Sequence, residues 1–126
     1  MTNKSRFVYY NHNPNKEELE DCVCRAISTA TGLKYYAVDH LLNLTSSSNT
    51  CDKLCVCCYH KLLEDTLCYR VQFCHNGETV KDIARKHKSR RVIIRIDQHL
   101  TCSIYGKIPD IWNCEDKLVD CYWIVA

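Results

Sequence analysis

The sequence VIIRIDQHLTCSIYG, residues 92–106, marks the point where the hydrophobic pattern of the chain changes from helical to strand-like. It begins with a run of valine and isoleucine, and from His99 onward polar and apolar residues alternate. Runs of β-branched residues and alternation along the chain are typical of β-strands. The pattern predicts that residues 91–126 form an antiparallel sheet.

Two more strands of this sheet are predicted downstream. Gly106 and Lys107 supply a hairpin turn, because glycine readily adopts the positive φ that tight turns require. Residues 108–113 then form the return strand, and residues 119–125 form a closing strand.

Upstream of the sheet, apolar residues recur at three- and four-residue intervals, which predicts helices. The first helix begins after Asp21 and ends at Gly32, while Thr79 and Asp82 form a variant of the capping box that opens a short basic helix. Two further helices are predicted at 34–44 and 51–68, with a serine-rich loop at 46–49.

These elements predict one α+β domain over residues 1–126. An N-terminal arm (1–20) precedes a helical part (21–90), which packs on the antiparallel sheet (91–126). Elements that follow one another as helices and then strands are typical of this fold class.

The composition narrows the choice of function. The chain has 126 residues, a net charge of +2 and eleven cysteines, and its first residues lack the apolar stretch of a secretory signal. We therefore expect a protein of the reducing cytoplasm, where cysteines are buried residues, metal ligands or reactive thiols. No stretch is long and apolar enough to span a membrane, and the small net charge gives no support to nucleic-acid binding.

Cys22 is the candidate nucleophile among these thiols. It falls in the first turn of the predicted helix, where unpaired backbone N–H groups stabilise a thiolate and lower its pKa. Cys24 points to another side of the helix and is better placed to pack, and Arg25 adds positive charge nearby.

His99 is the candidate base. It lies on the polar face of its predicted strand, and Asp110 and Asn113 follow on the return strand, where either could orient the imidazole. The choice depends on the register of the hairpin. A three-residue loop places Asn113 opposite His99, and a two-residue turn places Asp110 on the His99 face; the first register is slightly preferred.

Three segments around these residues resemble papain-like cysteine peptidases: Asp-Cys-Val-Cys-Arg-Ala at 21–26, His-Leu-Thr-Cys-Ser-Ile-Tyr-Gly at 99–106 and Asp-Ile-Trp-Asn-Cys at 110–114. The chain order of the residues is similar to that of small papain-like proteins encoded by phages and prophages. The resemblance implies a papain-like fold and hydrolysis of a peptide or protein substrate by a Cys22, His99 and Asn113 or Asp110 triad. The Trp-Asn pair at 112–113 favours Asn113 within that resemblance.

The chain departs from the family pattern at the oxyanion hole. Such peptidases usually carry a glutamine several residues before the nucleophile, and this chain has Lys16 there. Asn11, Asn13 and Asn15 are the candidate replacements. The departure keeps a second function open, in which a phage-encoded interaction or anti-defence protein binds a host protein on the same fold without turnover.

Two other features suggest different functions. Cys55 and Cys58 have the Cys-x-x-Cys spacing of zinc sites, but they fall inside a predicted helix, so we expect the cysteines from Cys51 to Cys74 to pack, with no metal or cofactor bound. The basic residues between Lys81 and Arg95 are expected to form a solvated helix face, which makes nucleic-acid binding the less favoured interpretation.

Overall fold

The computed structural model describes residues 4–16 and 21–126. The elements, in chain order, are β1 (Phe7–Tyr9), α1 (Cys22–Thr31), α2 (Tyr35–Asn49), α3 (Val56–Lys61), a π-helical segment (Leu62–Thr66), β2 (Val71–Phe73), α4 (Val80–Lys86), β3 (Arg91–Ile96), β4 (His99–Ile104), β5 (Ile108–Asp110) and β6 (Val119–Ile124). Strands β2, β6, β3 and β4 form an antiparallel sheet in that order, and β1 pairs with β5 in parallel. The predicted α+β class is confirmed.

The sheet is covered on both faces, because alternate residues of its strands belong to different clusters of buried side chains. Ile93 and Trp123 pack with residues of α1, α2 and α3. Ile94 and Tyr122 pack on the other face with residues of α4. No helix among the described residues is both long and apolar enough to cross a bilayer.

Helix α1 has the predicted bounds, with Asp21 as N-cap and Gly32 as C-cap. Gly32 has a φ of 78°, the left-handed conformation that glycine adopts at low cost, and its N–H bonds the carbonyl of Ser28. The predicted capping box of α4 is also present, since the Thr79 hydroxyl accepts from the Asp82 N–H and the Asp82 carboxylate accepts from the Thr79 N–H.

The predicted serine-rich loop at 46–49 is wrong, because α2 continues through it to Asn49. Side chains that normally compete with a helix here bond back to it: Thr45 Oγ1 donates to the Leu41 carbonyl at 2.8 Å, and Asn49 Nδ2 donates to the Thr45 carbonyl at 2.8 Å. The helix ends where Thr50 adopts a φ of 52°.

The third predicted helix is shorter than the pattern suggested. It begins at Val56, so that Cys51 and Cys55 precede it, and its last part is π-helical. The helical part also contributes a strand, β2, which lies at the edge of the sheet beside β6.

The hairpin after β4, whose register was expected to decide between Asn113 and Asp110, also differs from the prediction. The turn lies at Tyr105 and Gly106, with φ values of 49° and 82°, and Ile104 pairs with Lys107. The return strand then pairs with β1 of the N-terminal arm, so that Ile108 lies opposite Phe7. Arg6 Nη1 donates to the Gly106 carbonyl at 3.1 Å, which fastens the arm to this turn.

Candidate active site

Cys22 lies where the first turn of α1 meets strand β4. It is partly buried, and the residues after it anchor the helix in the core, with Ile27 and Ala30 fully buried. Cys22, His99 and Leu100 line the same cavity. The fold therefore brings together Cys22 and His99, which the sequence predicted as nucleophile and base.

His99, the first residue of β4, has its ring fixed by a carboxylate. Its Nε2 atom lies 2.7 Å from Asp110 Oδ2, and both side chains are more than nine-tenths buried. Because Nε2 faces Asp110, Nδ1 is the ring nitrogen left for the Cys22 thiol. Trp112 packs against the imidazole, with the two ring centroids 4.8 Å apart and the ring planes tilted by 53°.

The preference for Asn113 as the orienting residue is wrong. The Asn113 side chain instead contacts Glu115, donating to Oε1 at 3.2 Å and accepting from the Glu115 N–H at 3.1 Å. Asp110 is the last residue of β5, lies opposite Tyr9 of β1 and contacts His99. The Asp110 alternative therefore describes the observed contact.

Asp110 is held by donors on all sides. Thr101 Oγ1 donates to Oδ2 at 2.7 Å, while the Ile111 N–H at 2.7 Å and Arg25 Nη1 at 3.1 Å donate to Oδ1. Buried carboxylates are stable in the charged form when their lone pairs are occupied in this way. Asp110 is therefore a negatively charged carboxylate with a fixed position in the site.

Arg25 links Asp110 to a second buried carboxylate, and sequence reasoning gave it only a general electrostatic role. Its Nε donates to Asp21 Oδ1 at 2.6 Å, and the residue is 6% exposed. Asp21 Oδ2 also accepts from the Tyr35 hydroxyl at 2.6 Å and from Asn13 Nδ2 at 3.1 Å. The Asp21 carboxylate thus serves this network and makes no side-chain capping bond to α1.

The electrostatics favour a charged pair between the nucleophile and the base. Burial raises the pKa of the Cys22 thiol, but its hydrogen bonds with His99 and Leu100 and the charges of His99 and Arg25 outweigh burial and hold the pKa below its usual value. Burial lowers the pKa of His99, whereas its hydrogen bonds with Asp110, Cys114 and Cys22 raise it to about 11. A thiolate beside an imidazolium is the state that this arrangement stabilises at neutral pH.

Two cavities that share residues near the site are together called the groove: Cys22 lines the first of them, and His99 lines both. The first, about 380 Å³, is lined by Cys22 and His99 and by the apolar side chains Leu54, Val56 and Tyr59. The second, about 770 Å³, lies beyond the β3–β4 turn and contains Trp112, Asp116 and Lys117. Residues from Ile96 to His99 line both cavities, so the imidazole lies at the boundary between them.

The candidate oxyanion residues lie elsewhere. Asn11 Oδ1 accepts from the Asn13 N–H at 3.0 Å, and Asn13 Oδ1 accepts from the N–H of the exposed Asn15 at 2.9 Å. Among the described residues, none of these three lines the groove. Gln98, which the sequence analysis missed, does line both cavities, and its φ of 54° in the two-residue turn before His99 is the backbone feature that places it there.

Two groups of potential metal ligands occur in the described part of the chain: His99 with Asp110 and Cys114, and Cys51 with Cys55 and Cys57. In the first group, His99 Nε2 and Asp110 Oδ2 are 2.7 Å apart. Nitrogen and oxygen ligands about 2.0 Å from a tetrahedral ion would lie about 3.3 Å from each other. The first group is therefore a hydrogen-bonded network.

The chain matches no protein-family model, no curated protein and no solved structure. The case for a function therefore depends on the geometry and chemistry of the residues described above.

Proposed function

We propose that this chain is a cysteine hydrolase of the papain-like kind, which cleaves a peptide, isopeptide or amide bond. One observation carries the proposal: His99 Nε2 lies 2.7 Å from Asp110 Oδ2, and His99 lines the same cavity as the partly buried thiol of Cys22. A cysteine, a base and a group that orients the base are the components of nucleophilic acyl transfer.

In the first half of the reaction, the Cys22 thiolate attacks the carbonyl carbon and forms a C–S bond, while the carbonyl electron pair moves to oxygen. The backbone N–H of Cys22, at the start of α1 where helical N–H groups lack intrahelical partners, stabilises that oxyanion. When the intermediate collapses, the C–N bond breaks and the His99 imidazolium gives its proton to the departing amine.

In the second half, neutral His99 accepts a proton from a water molecule, and the resulting hydroxide attacks the thioester carbonyl. A C–O bond forms, the C–S bond breaks, and the acid leaves. The thiolate and the imidazolium are restored. Asp110 keeps the ring in one orientation throughout and stabilises its positive charge.

The groove supports a substrate with an extended chain. A peptide that crosses the boundary at His99 has room on both sides of its scissile bond, because the two cavities adjoin there. The side lined by Leu54, Val56 and Tyr59 suits an apolar side chain. The other side contains Asp116 and Lys117 and suits a polar one.

A peptide library derived from a digested proteome tests the proposal directly. After incubation with the wild-type chain, mass spectrometry should detect new termini. These products should be absent with Cys22→Ala, because that change removes the nucleophile and little packing. Cys68→Ala is the matched control, since Cys68 is also a free cysteine, is exposed and lies outside the groove.

Equal cleavage by wild type and Cys22→Ala would overturn the proposal. A different outcome would favour the alternative of a host-binding protein without turnover. In that case neither the wild-type chain nor any variant cleaves a peptide, and Cys22→Ala retains the biological effect of the chain.

A further inference from the structure

A second cluster of thiols lies outside the candidate active site. The sulfur atoms of Cys51, Cys55 and Cys57 all lie within 4.8 Å of one another, and none of the three is in a disulfide. They precede or begin α3, next to the wall of the groove. The proposed hydrolysis makes no use of them.

The expectation that these cysteines only pack rested on a helix running through them. The structure begins α3 at Val56, so Cys51 and Cys55 belong to the preceding turn and only Cys57 belongs to the helix. Within this turn the Leu54 N–H donates to Asp52 Oδ1 at 2.9 Å, and the Cys55 N–H donates to the Asp52 carbonyl at 3.1 Å. The helical context that argued against a metal site therefore does not apply to Cys51 and Cys55.

The sulfur positions fit a tetrahedral ion. Zinc–thiolate bonds are about 2.3 Å long, which places two sulfur ligands about 3.8 Å apart. The Cys55 and Cys57 sulfur atoms are 3.7 Å apart. Cys51 completes a triangle of thiols that a single ion could bind with small side-chain movements.

The surroundings of the cluster supply two further features of thiolate sites. The Cys58 N–H donates to the Cys55 sulfur at 3.4 Å, and N–H groups that donate to a ligating sulfur orient it and offset its charge. Cys57 is exposed, so an ion bound by the three thiols can take water as its fourth ligand.

We propose that Cys51, Cys55 and Cys57 bind one zinc ion through their thiolates. The thiols lose their protons on binding, and no redox step is involved. Leu54 and Val56, which alternate with the ligands along the chain, line the groove beside Cys22. The ion therefore fixes one wall of the groove, and this site does not depend on whether Cys22 is a nucleophile.

Cobalt titration of the reduced, metal-free, full-length chain tests the proposal. Wild type should bind one equivalent of Co²⁺ with a thiolate-to-cobalt charge-transfer band in the near ultraviolet, and one equivalent of Zn²⁺ should abolish the band. Cys57→Ser should weaken Co²⁺ binding by about tenfold or more. Cys68→Ser, another exposed cysteine outside the cluster, should bind like wild type.

A second measurement on the wild-type chain removes any dependence on variant folding. Stoichiometric Zn²⁺ should slow the alkylation of Cys51, Cys55 and Cys57 and leave Cys68 unaffected. Absence of a charge-transfer band at stoichiometric cobalt, equal binding by Cys57→Ser and Cys68→Ser, or no zinc protection of the three thiols would overturn the proposal.

Discussion

His99 Nε2 and Asp110 Oδ2 are 2.7 Å apart although the two residues lie on strands of different sheets, β4 in the four-stranded sheet and β5 in the parallel pair. β5 remains beside β4 but pairs with β1 of the N-terminal arm, and Asp110 lies opposite Tyr9 in that pairing. The residue that orients the base therefore belongs to a strand that the N-terminal arm pairs with.

We expect Asp110→Asn to lower kcat/KM for a cleaved peptide by on the order of a hundredfold or more, because the ring loses the anion that fixes its orientation and stabilises its charge. Asn113→Ala should leave kcat/KM within about twofold and cost about 1 kcal/mol of unfolding free energy, through its lost bonds with Glu115. Peptide kinetics and urea unfolding measure the two effects. The reverse ranking, with Asn113→Ala the more damaging to kcat/KM, would show that Asp110 is not the orienting residue.

The buried ion-pair network should dominate stability near the site. Arg25→Met leaves the carboxylates of Asp21 and Asp110 without their shared cation, which should cost about 3–5 kcal/mol of unfolding free energy. Arg85→Met breaks an exposed pair with Asp82 and should cost about 1 kcal/mol or less. Urea unfolding compares the two variants. Similar losses of unfolding free energy would mean that the ion pairs of Arg25 stabilise the chain no more than an exposed pair does.

The pH dependence of kcat/KM should be bell-shaped and broad. The thiolate is present above the lowered pKa of Cys22, and the imidazolium is present below the His99 pKa of about 11. Activity should therefore persist below the usual thiol pKa and decline only as pH approaches 11. Asp110→Asn should move the alkaline limb to lower pH, because its hydrogen bond raises the His99 pKa. An alkaline limb that does not move would contradict this assignment.

The apolar wall of the groove should affect substrate binding. Val56→Asp places a charge among Leu54 and Tyr59, and we expect KM for a peptide with an apolar side chain to rise by about tenfold, with kcat less affected. Leu44→Asp is a matched control, since Leu44 is 51% exposed, Val56 is 48% exposed, and Leu44 lies outside the groove. Steady-state kinetics measure both variants. An equal rise in KM would show that the apolar wall of the groove does not contribute specifically to substrate binding.

The features predicted correctly are those that depend on neighbouring residues. The start of α1 at Cys22, the capping box at Thr79 and the strand that begins at His99 follow from local spacing and propensity. The orienting residue was missed because the turn lies at Tyr105 and Gly106, and because β5 pairs with β1, a distant part of the chain that no local pattern indicates.

Two other features were missed for different reasons. Serine at 46–48 favours loops on average, but α2 continues through it, and the Thr45 and Asn49 side chains on either side bond to carbonyls of the helix. Arg25 was not recognised as the bridge between Asp21 and Asp110. An arginine one turn after the N-cap aspartate was the available sequence signal, since residues i and i+4 share a helix face.

The central claim is that Cys22 is an activated thiolate, and competitive alkylation of the native chain with iodoacetamide near pH 6 tests it most directly. Mass mapping of the eleven cysteines should find Cys22 modified before the exposed Cys57 and Cys68, because its pKa is lowered by His99. His99→Ala should remove that advantage and leave the labelling of Cys68 unchanged. If Cys22 is among the slowest thiols in the wild-type chain, it is not the nucleophile and the account is wrong.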